Sequence, residues 1–154
     1  MIEYQFEENF LYYARMIKRL HEKRLADAAE RLGLSFAEAD VLCFLRENPL
    51  YDNARDIAAY RDVSRAYVSK AVESLSAKGM LEVSRDKADR RYYHLVITDK
   101  AMDVAETLHE AQQGFYETVT QGLTESELYT MLSLIGRCAV NVAREVKRGE
   151  GGSG

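Results

Sequence analysis

Four basic side chains, Arg85, Lys87, Arg90 and Arg91, fall within seven consecutive residues of a chain whose formal net charge is −4. The stretch "SRDKADRRYYHLVIT" changes character after them, because Tyr92 to Thr98 is aromatic and β-branched and reads as a strand. The basic tip has company. Residues 53–94 hold 9 basic and 6 acidic groups, whereas residues 1–52 hold 7 and 10 and residues 95–154 hold 5 and 9. A basic middle third between acidic flanks points to an anionic partner for that segment alone.

Other chemistries find less support. His21, His94 and His109 fall on different predicted elements, and the chain has no HExxH, P-loop, nucleophile elbow or paired-carboxylate site. It is therefore not expected to be an enzyme or to hold a cofactor or metal. Glu106, His109 and Glu110 do share a helix, but without a second imidazole at ligand spacing they read as a solvated face. Cys43 and Cys138 have no CxxC spacing and read as ordinary thiols, with a redox sensor as the alternative. At 154 residues, 47% hydrophobic and 30% charged, the composition is that of a soluble globular protein able to bury a core. No apolar run approaches the roughly 20 residues of a bilayer span, and the charged N-terminus does not read as a signal peptide. The expectation is a cytoplasmic protein that needs no membrane. The closing "GEGGSG" (149–154) has linker composition and is expected to be a disordered tail.

Periodicity supplies the elements. Apolar residues from Phe6 to Leu32 recur in three- and four-residue steps, which predicts a long amphipathic helix ending at Gly33. "SFAE" (35–38) fits a capping box for a second helix that stops before Pro49, the only proline. "DNARDIAAY" (52–60), capped by Asp52 or Asn53, is a short third helix. After the connection "RDV", Ser64 caps a fourth, whose apolar stripe is Val68, Ala71, Val72 and Leu75 and whose stop is Gly79. "MLEVS" (80–84) and "YYHLVIT" (92–98) then form a hairpin with a charged tip. Thr98 or Asp99 caps a long helix reaching about Gly122, and "TESE" (124–127) opens a last one. The long flanking helices bear more apolar stripe than the central module can cover, which predicts a homodimer.

A helix-turn-helix followed directly by a hairpin is a winged helix. With these residues it resembles the MarR family of bacterial transcriptional regulators over about residues 6 to 147. The strongest segment is "ARDIAAYRDVSRAYVSKAVESLSAKGMLEVSRDKADRRYYHLVIT", and "DRR" (Asp89, Arg90, Arg91) followed by "LVIT" matches the family's wing signature. The resemblance implies a fold that is mainly α with a small β-hairpin wing. In it, a winged helix-turn-helix DNA-binding domain (35–98) lies between an N-terminal dimerisation helix (1–34) and C-terminal dimerisation helices (99–148). It also implies a homodimer on a pseudo-palindromic double-stranded DNA operator, acting as a ligand-responsive repressor. The alternatives are a winged-helix protein-interaction module that does not read DNA, and a redox- or metal-responsive regulator.

Within that frame, Ser64, Arg65, Ala66, Tyr67, Ser69 and Lys70 lie at the exposed N-terminal end of the recognition helix, the end usually presented to base edges. Arg65 suits guanine, Ala66 a thymine methyl, and Ser69, Tyr67 and Lys70 phosphates or bases. Asn53 and Arg55 are candidate phosphate contacts. At the wing, the resemblance implies that Asp89 braces one arginine, Arg91 in one arrangement, and leaves Arg90 to reach the minor groove; the two roles are interchangeable at this level. Arg85 and Lys87 supply backbone charge. Tyr92 and Tyr93, adjacent on a strand, are expected to face opposite ways, one packed and one exposed. Tyr4, Tyr12, Tyr13 and Arg15 on the first helix suit an aromatic or phenolic effector, with dimer-core packing as the alternative reading.

Overall fold

Capping side chains set where the helices begin. The computed structural model describes residues 2–87 and 92–150. Its elements are α1 (Ile2–Arg31), α2 (Phe36–Glu47), α3 (Ala54–Arg61), α4 (Arg65–Ala77), β1 (Leu81–Arg85), β2 (Tyr93–Ile97), a 3-10 turn (Asp99–Ala101), α5 (Met102–Thr120) and α6 (Glu125–Glu150). The fold is a winged helix, mainly α with one antiparallel hairpin. Ser35 and Glu38 form the expected capping box, Asn53 caps α3, and the Ser64 hydroxyl accepts from the Tyr67 amide. Each cap satisfies amides that the first helical turn leaves without a partner.

Several boundaries differ from the sequence reading. Arg61 belongs to α3, so the turn into α4 starts at Asp62, which adopts the left-handed conformation (φ 52°). Thr98 makes no side-chain capping bond. Its hydroxyl donates instead to the Gly79 carbonyl at 2.8 Å, joining the end of β2 to the turn before β1. Gly79 has φ +69°, a conformation that side-chain-bearing residues rarely adopt. The last helix continues to Glu150, past the expected start of the tail; residues 151–154 lie outside the described residues.

The chain divides into two compact units, residues 1–116 and 117–154. In the first, α2 is the centre. Every residue from Glu38 to Leu45 is buried, so this helix is covered on all sides. Around it pack Leu25, Ala28 and Ala29 of α1, Ile57 of α3, Val68, Ala71 and Leu75 of α4, Leu81 and Leu95 of the hairpin, and Leu108 of α5. Only the C-terminal part of α1 reaches this core; Phe10, Tyr13 and Ile17, on its predicted stripe, are exposed. In the second unit, Thr124 and Glu127 form the reciprocal capping box expected of "TESE". Tyr129, Leu132, Ile135, Val142 and Val146 of α6 are exposed as well. No helix among the described residues is long and apolar enough to cross a membrane.

The most buried charge ties the core together. Glu38 is only 3% exposed. Its carboxylate accepts from the Ser35 amide at 2.7 Å, from the Ser74 hydroxyl, and from Lys78 Nζ at 2.8 Å. Burial alone would push this carboxyl up, but the bonds from Lys78, Ser74 and Ser35, with the charge of Lys78, outweigh it and hold the pKa at about 2. Stability from this group is therefore complete above the ordinary value of 4.5 and is lost as pH falls toward 2. Glu38→Ala should cost about 3 kcal/mol in urea unfolding at neutral pH, because it strands a half-buried lysine and a hydroxyl. The gap between Glu38→Gln and the unsubstituted protein should narrow as pH is lowered through that window.

Candidate nucleic-acid interface

The side chains that α4 buries decide which ones it displays. With Val68, Ala71 and Leu75 inward, Arg65, Ala66, Ser69 and Lys70 emerge as one exposed face on the first turns. Ser64 is exposed beside them, its oxygen occupied by the cap at 3.1 Å while its own proton remains able to donate. Tyr67 departs from the expectation. It is half-buried against the core, and burial pushes its phenol pKa up. Its position at i−1 to Val68 and i+4 from Val63 puts the ring at the margin of the apolar stripe.

Helix α3 and the hairpin bring further candidates to the same place. Asn53, Ala54, Arg55, Arg65, Tyr92 and Tyr93 line a cleft of about 450 Å³. Arg55 and Arg65, from the two helices of the motif, thus face one space. Asn53 is already engaged as a cap: its Oδ1 accepts from the Asp56 amide at 3.0 Å, and its Nδ2 donates to Asp56 Oδ2 at 2.6 Å. That leaves Arg55 as the more available group at the start of α3.

The hairpin pairs Leu81 with Ile97, Val83 with Leu95 and Arg85 with Tyr93, which places these six residues on one face. Leu81 and Leu95 are buried there, but Val83 is 49% exposed. The wing extends beyond the core it is attached to. This explains why Tyr92 and Tyr93 are both exposed, at 51% and 44%, although one was expected to pack. Tyr93 lies on the core-facing side yet past the core's edge, where the Arg85 guanidinium sits 5.4 Å from its ring centroid. Lys87 is exposed. Asp89, Arg90 and Arg91, and with them the expected carboxylate–guanidinium brace, lie outside the described residues.

The opposite face of β2 carries residues that sequence reasoning did not single out. His94 Nδ1 lies 2.9 Å from both carboxylate oxygens of Asp52, and its Nε2 lies 2.9 Å from Asp86 Oδ2. Hydrogen bonding to Asp86 and to Asp52 raises the imidazole pKa above its ordinary 6.5. Nothing in the spacing of these three residues announces the contact, since Asp52 is 42 positions away.

The remaining candidates are committed elsewhere. Glu106 accepts from Arg46, with Nε at 3.0 Å, and His109 Nδ1 lies 3.7 Å from Glu47. Among the described residues no group of three or more His, Cys, Asp or Glu side chains could hold a metal ion. Asp40 and Arg61 form an ion pair at 3.1 Å beneath which the Phe44 ring lies. The pair is held by charge and not by an aligned hydrogen bond, because Arg61 Nε and Nη2 are buried without a hydrogen-bond partner. Burial pushes the Asp40 carboxyl up against the pull of Arg61. On α1 the Tyr12 and Tyr13 rings lie 5.7 Å apart and are exposed; the Tyr4 side chain is outside the described residues.

Known proteins resemble this chain in sequence and in fold. The MarR family model matches residues 32–91, which run from the end of α1 into the wing. The transcriptional regulator AdcR of Streptococcus pneumoniae is 34% identical over 86 residues, 56% of this chain and 58% of AdcR. Over residues 32–91 the chain is similar to the MarR family. Its match thus spans little more than half the length of that relative. A MarR protein from Peptoclostridium difficile is 26% identical with a TM-score of 0.74, covering 89% of each chain. A MarR family regulator from Listeria monocytogenes, solved with 26mer DNA, shares the fold at 17% identity and a TM-score of 0.79, covering 94% of this chain and 95% of that one.

The two cysteines differ in burial: Cys138 is exposed and Cys43 is buried. Cys43 is 1% exposed in the core, and burial first, then the nearby Glu47 carboxylate, pushes its thiol up to about 12. A thiol so protonated is a poor nucleophile. Alkylation of the native protein at pH 8 should spare Cys43 and label it only after unfolding, as read by mass spectrometry of the peptides.

Proposed function

We propose that this chain is a homodimeric, sequence-specific double-stranded DNA-binding transcriptional regulator that acts as a repressor. The observation that carries the reading is the exposed first face of α4, where Arg65, Ala66, Ser69 and Lys70 stand together and Arg55 of α3 shares a cleft with Arg65. Side chains of these types are those that donate to guanine, touch a thymine methyl and hold phosphates. The function is one of binding, with no catalytic step.

In this reading residues 35–98 form the DNA-binding domain, and residues 1–34 and 99–148 form the dimer. The exposed apolar residues of α1 and, separately, of α6 support a second copy as their cover. Two recognition helices in a dimer address half-sites about 34 Å apart. Arg90 and Arg91, with Arg85 and Lys87, supply the wing's contacts, one arginine entering the minor groove. Exposed Tyr12 and Tyr13, with Arg15 one turn from Tyr12, support an aromatic carboxylate as the effector that relieves repression.

Binding to random-sequence duplex should weaken as salt rises, with log affinity falling by about 0.9 per log unit of salt for each phosphate contact. Lys70→Ala should weaken binding uniformly across sequences and reduce that slope by about 1. Arg65→Ala should cost about 1–3 kcal/mol on the selected operator and relax preference at one position. Arg90→Ala combined with Arg91→Ala should weaken operator binding while leaving the dimer intact in sedimentation. Absence of salt-sensitive binding at low ionic strength would sink the DNA reading in favour of a protein-interaction module.

A further inference from the structure

His94 occupies an unusual position for a half-buried histidine. Both ring nitrogens face carboxylates: Nδ1 meets the two Asp52 oxygens and Nε2 meets Asp86 Oδ2, all at 2.9 Å. A neutral imidazole carries one N–H and one lone pair, so one of these contacts would set a lone pair against a carboxylate. The arrangement is satisfied on both sides only by the imidazolium, which donates twice. We propose that His94 is the positioning residue of the wing, a protonated latch that joins the hairpin to the helix-turn-helix and makes DNA binding depend on pH.

The three partners belong to three segments. Asp52 sits in the connection between α2 and α3, directly before the cap of α3; His94 is in β2; Asp86 follows β1 at the base of the wing tip. Two backbone bonds share the joint. The Leu95 amide donates to the Asp52 carbonyl at 2.7 Å, and the Asp86 amide donates to the Tyr92 carbonyl at 3.0 Å. The backbone bonds hold the strand in place, while the imidazolium ties Asp86, whose chain neighbours are Arg85 and Lys87, to β2 and to the connection before α3. Among the described residues, the charged groups facing the ring are Asp52 and Asp86, and its cross-strand neighbour on β1 is the uncharged Ser84. Arg85 is turned to the other face, over Tyr93.

The latch also has an electrostatic effect on the proposed interface. An imidazolium offsets two carboxylates that would otherwise stand beside the wing's phosphate-binding charges. Losing the proton releases one hydrogen bond and leaves the joint more negative by one charge. The folded-state pKa is raised above 6.5 by Asp86 and Asp52. The latch is therefore complete below 6.5 and is lost as pH rises through the higher folded value. DNA phosphates near the wing should favour the same protonated form.

The inference rests on the DNA-binding reading for its functional readout and on the ring geometry for its site. Two measurements keep them apart. The first follows the His94 ring resonances of the full chain by NMR between about pH 5 and pH 8, with the signal assigned by its loss in His94→Gln. The midpoint should lie above 6.5 and should fall in Asp52→Asn and in Asp86→Asn. A midpoint at or below 6.5, or one that neither variant moves, overturns the latch. The second compares affinity for a random-sequence duplex at fixed salt over the same range. The unsubstituted protein should lose about three- to tenfold relative to His94→Gln as pH rises, equal to half to one pKa unit of coupling. Parallel pH profiles for the two proteins overturn the coupling even where DNA is bound. If neither protein binds duplex, the DNA reading fails and the NMR midpoints alone decide the latch.

Discussion

The architecture depends on a buried carboxylate. Glu38 begins as a local device, closing the capping box of α2 through the Ser35 amide, and ends as a long-range one, taking the Ser74 hydroxyl and the Lys78 ammonium from the far end of α4. A buried charge of this kind tolerates few alternatives, because moving α4 would leave both the carboxylate and its donors unpaired. The network runs on: Lys78 Nζ also reaches the Gly33 carbonyl at 3.4 Å, and the Lys78 carbonyl accepts from Lys100 at 3.0 Å. The recognition helix is thus held at its C-terminal end by polar bonds and along its length by Val68, Ala71 and Leu75. Its N-terminal turn is left for display.

The same accounting explains how an acidic chain presents a basic surface. Several of its cations are consumed within the fold: Lys78 by Glu38, Arg61 by Asp40, and Arg46 by Glu106. Among the described residues no ion pair engages Arg55, Arg65, Lys70 or Lys87, and all four are exposed. Net charge therefore says little about this molecule's surface. What matters is which cations are already paired within the fold, and those lie on α2, the end of α3 and the end of α4.

Much of this was legible from the chain. Capping chemistry is local, so Ser35 with Glu38, Asn53, Ser64, and Thr124 with Glu127 each announced a helix start that the structure shows. The stripe of α4 was legible for the same reason, since three- and four-residue steps define one face of a helix. Of the two expected caps, Thr98 does stand at the N-cap position but makes no side-chain capping bond, because its hydroxyl has a non-local alternative, the Gly79 carbonyl, that only the closed hairpin brings near. Tyr92 and Tyr93 were misread because strand alternation says which way a side chain points and nothing about where the core stops.

The amino-acid sequence by itself determined the order of the elements, their caps, the concentration of positive charge in the middle third and the candidate residues on the first turns of α4. These follow from interactions between residues a few positions apart, which spacing records. Tertiary structure alone decided that Glu38 serves α4 as well as its own helix, that Arg55 and Arg65 share one cleft, and that His94 stands between Asp52 and Asp86. Each of those contacts joins segments distant along the chain, and hydrogen bonds of 2.9 Å are set by how the helices and the hairpin pack, a quantity that no spacing along one strand or helix encodes.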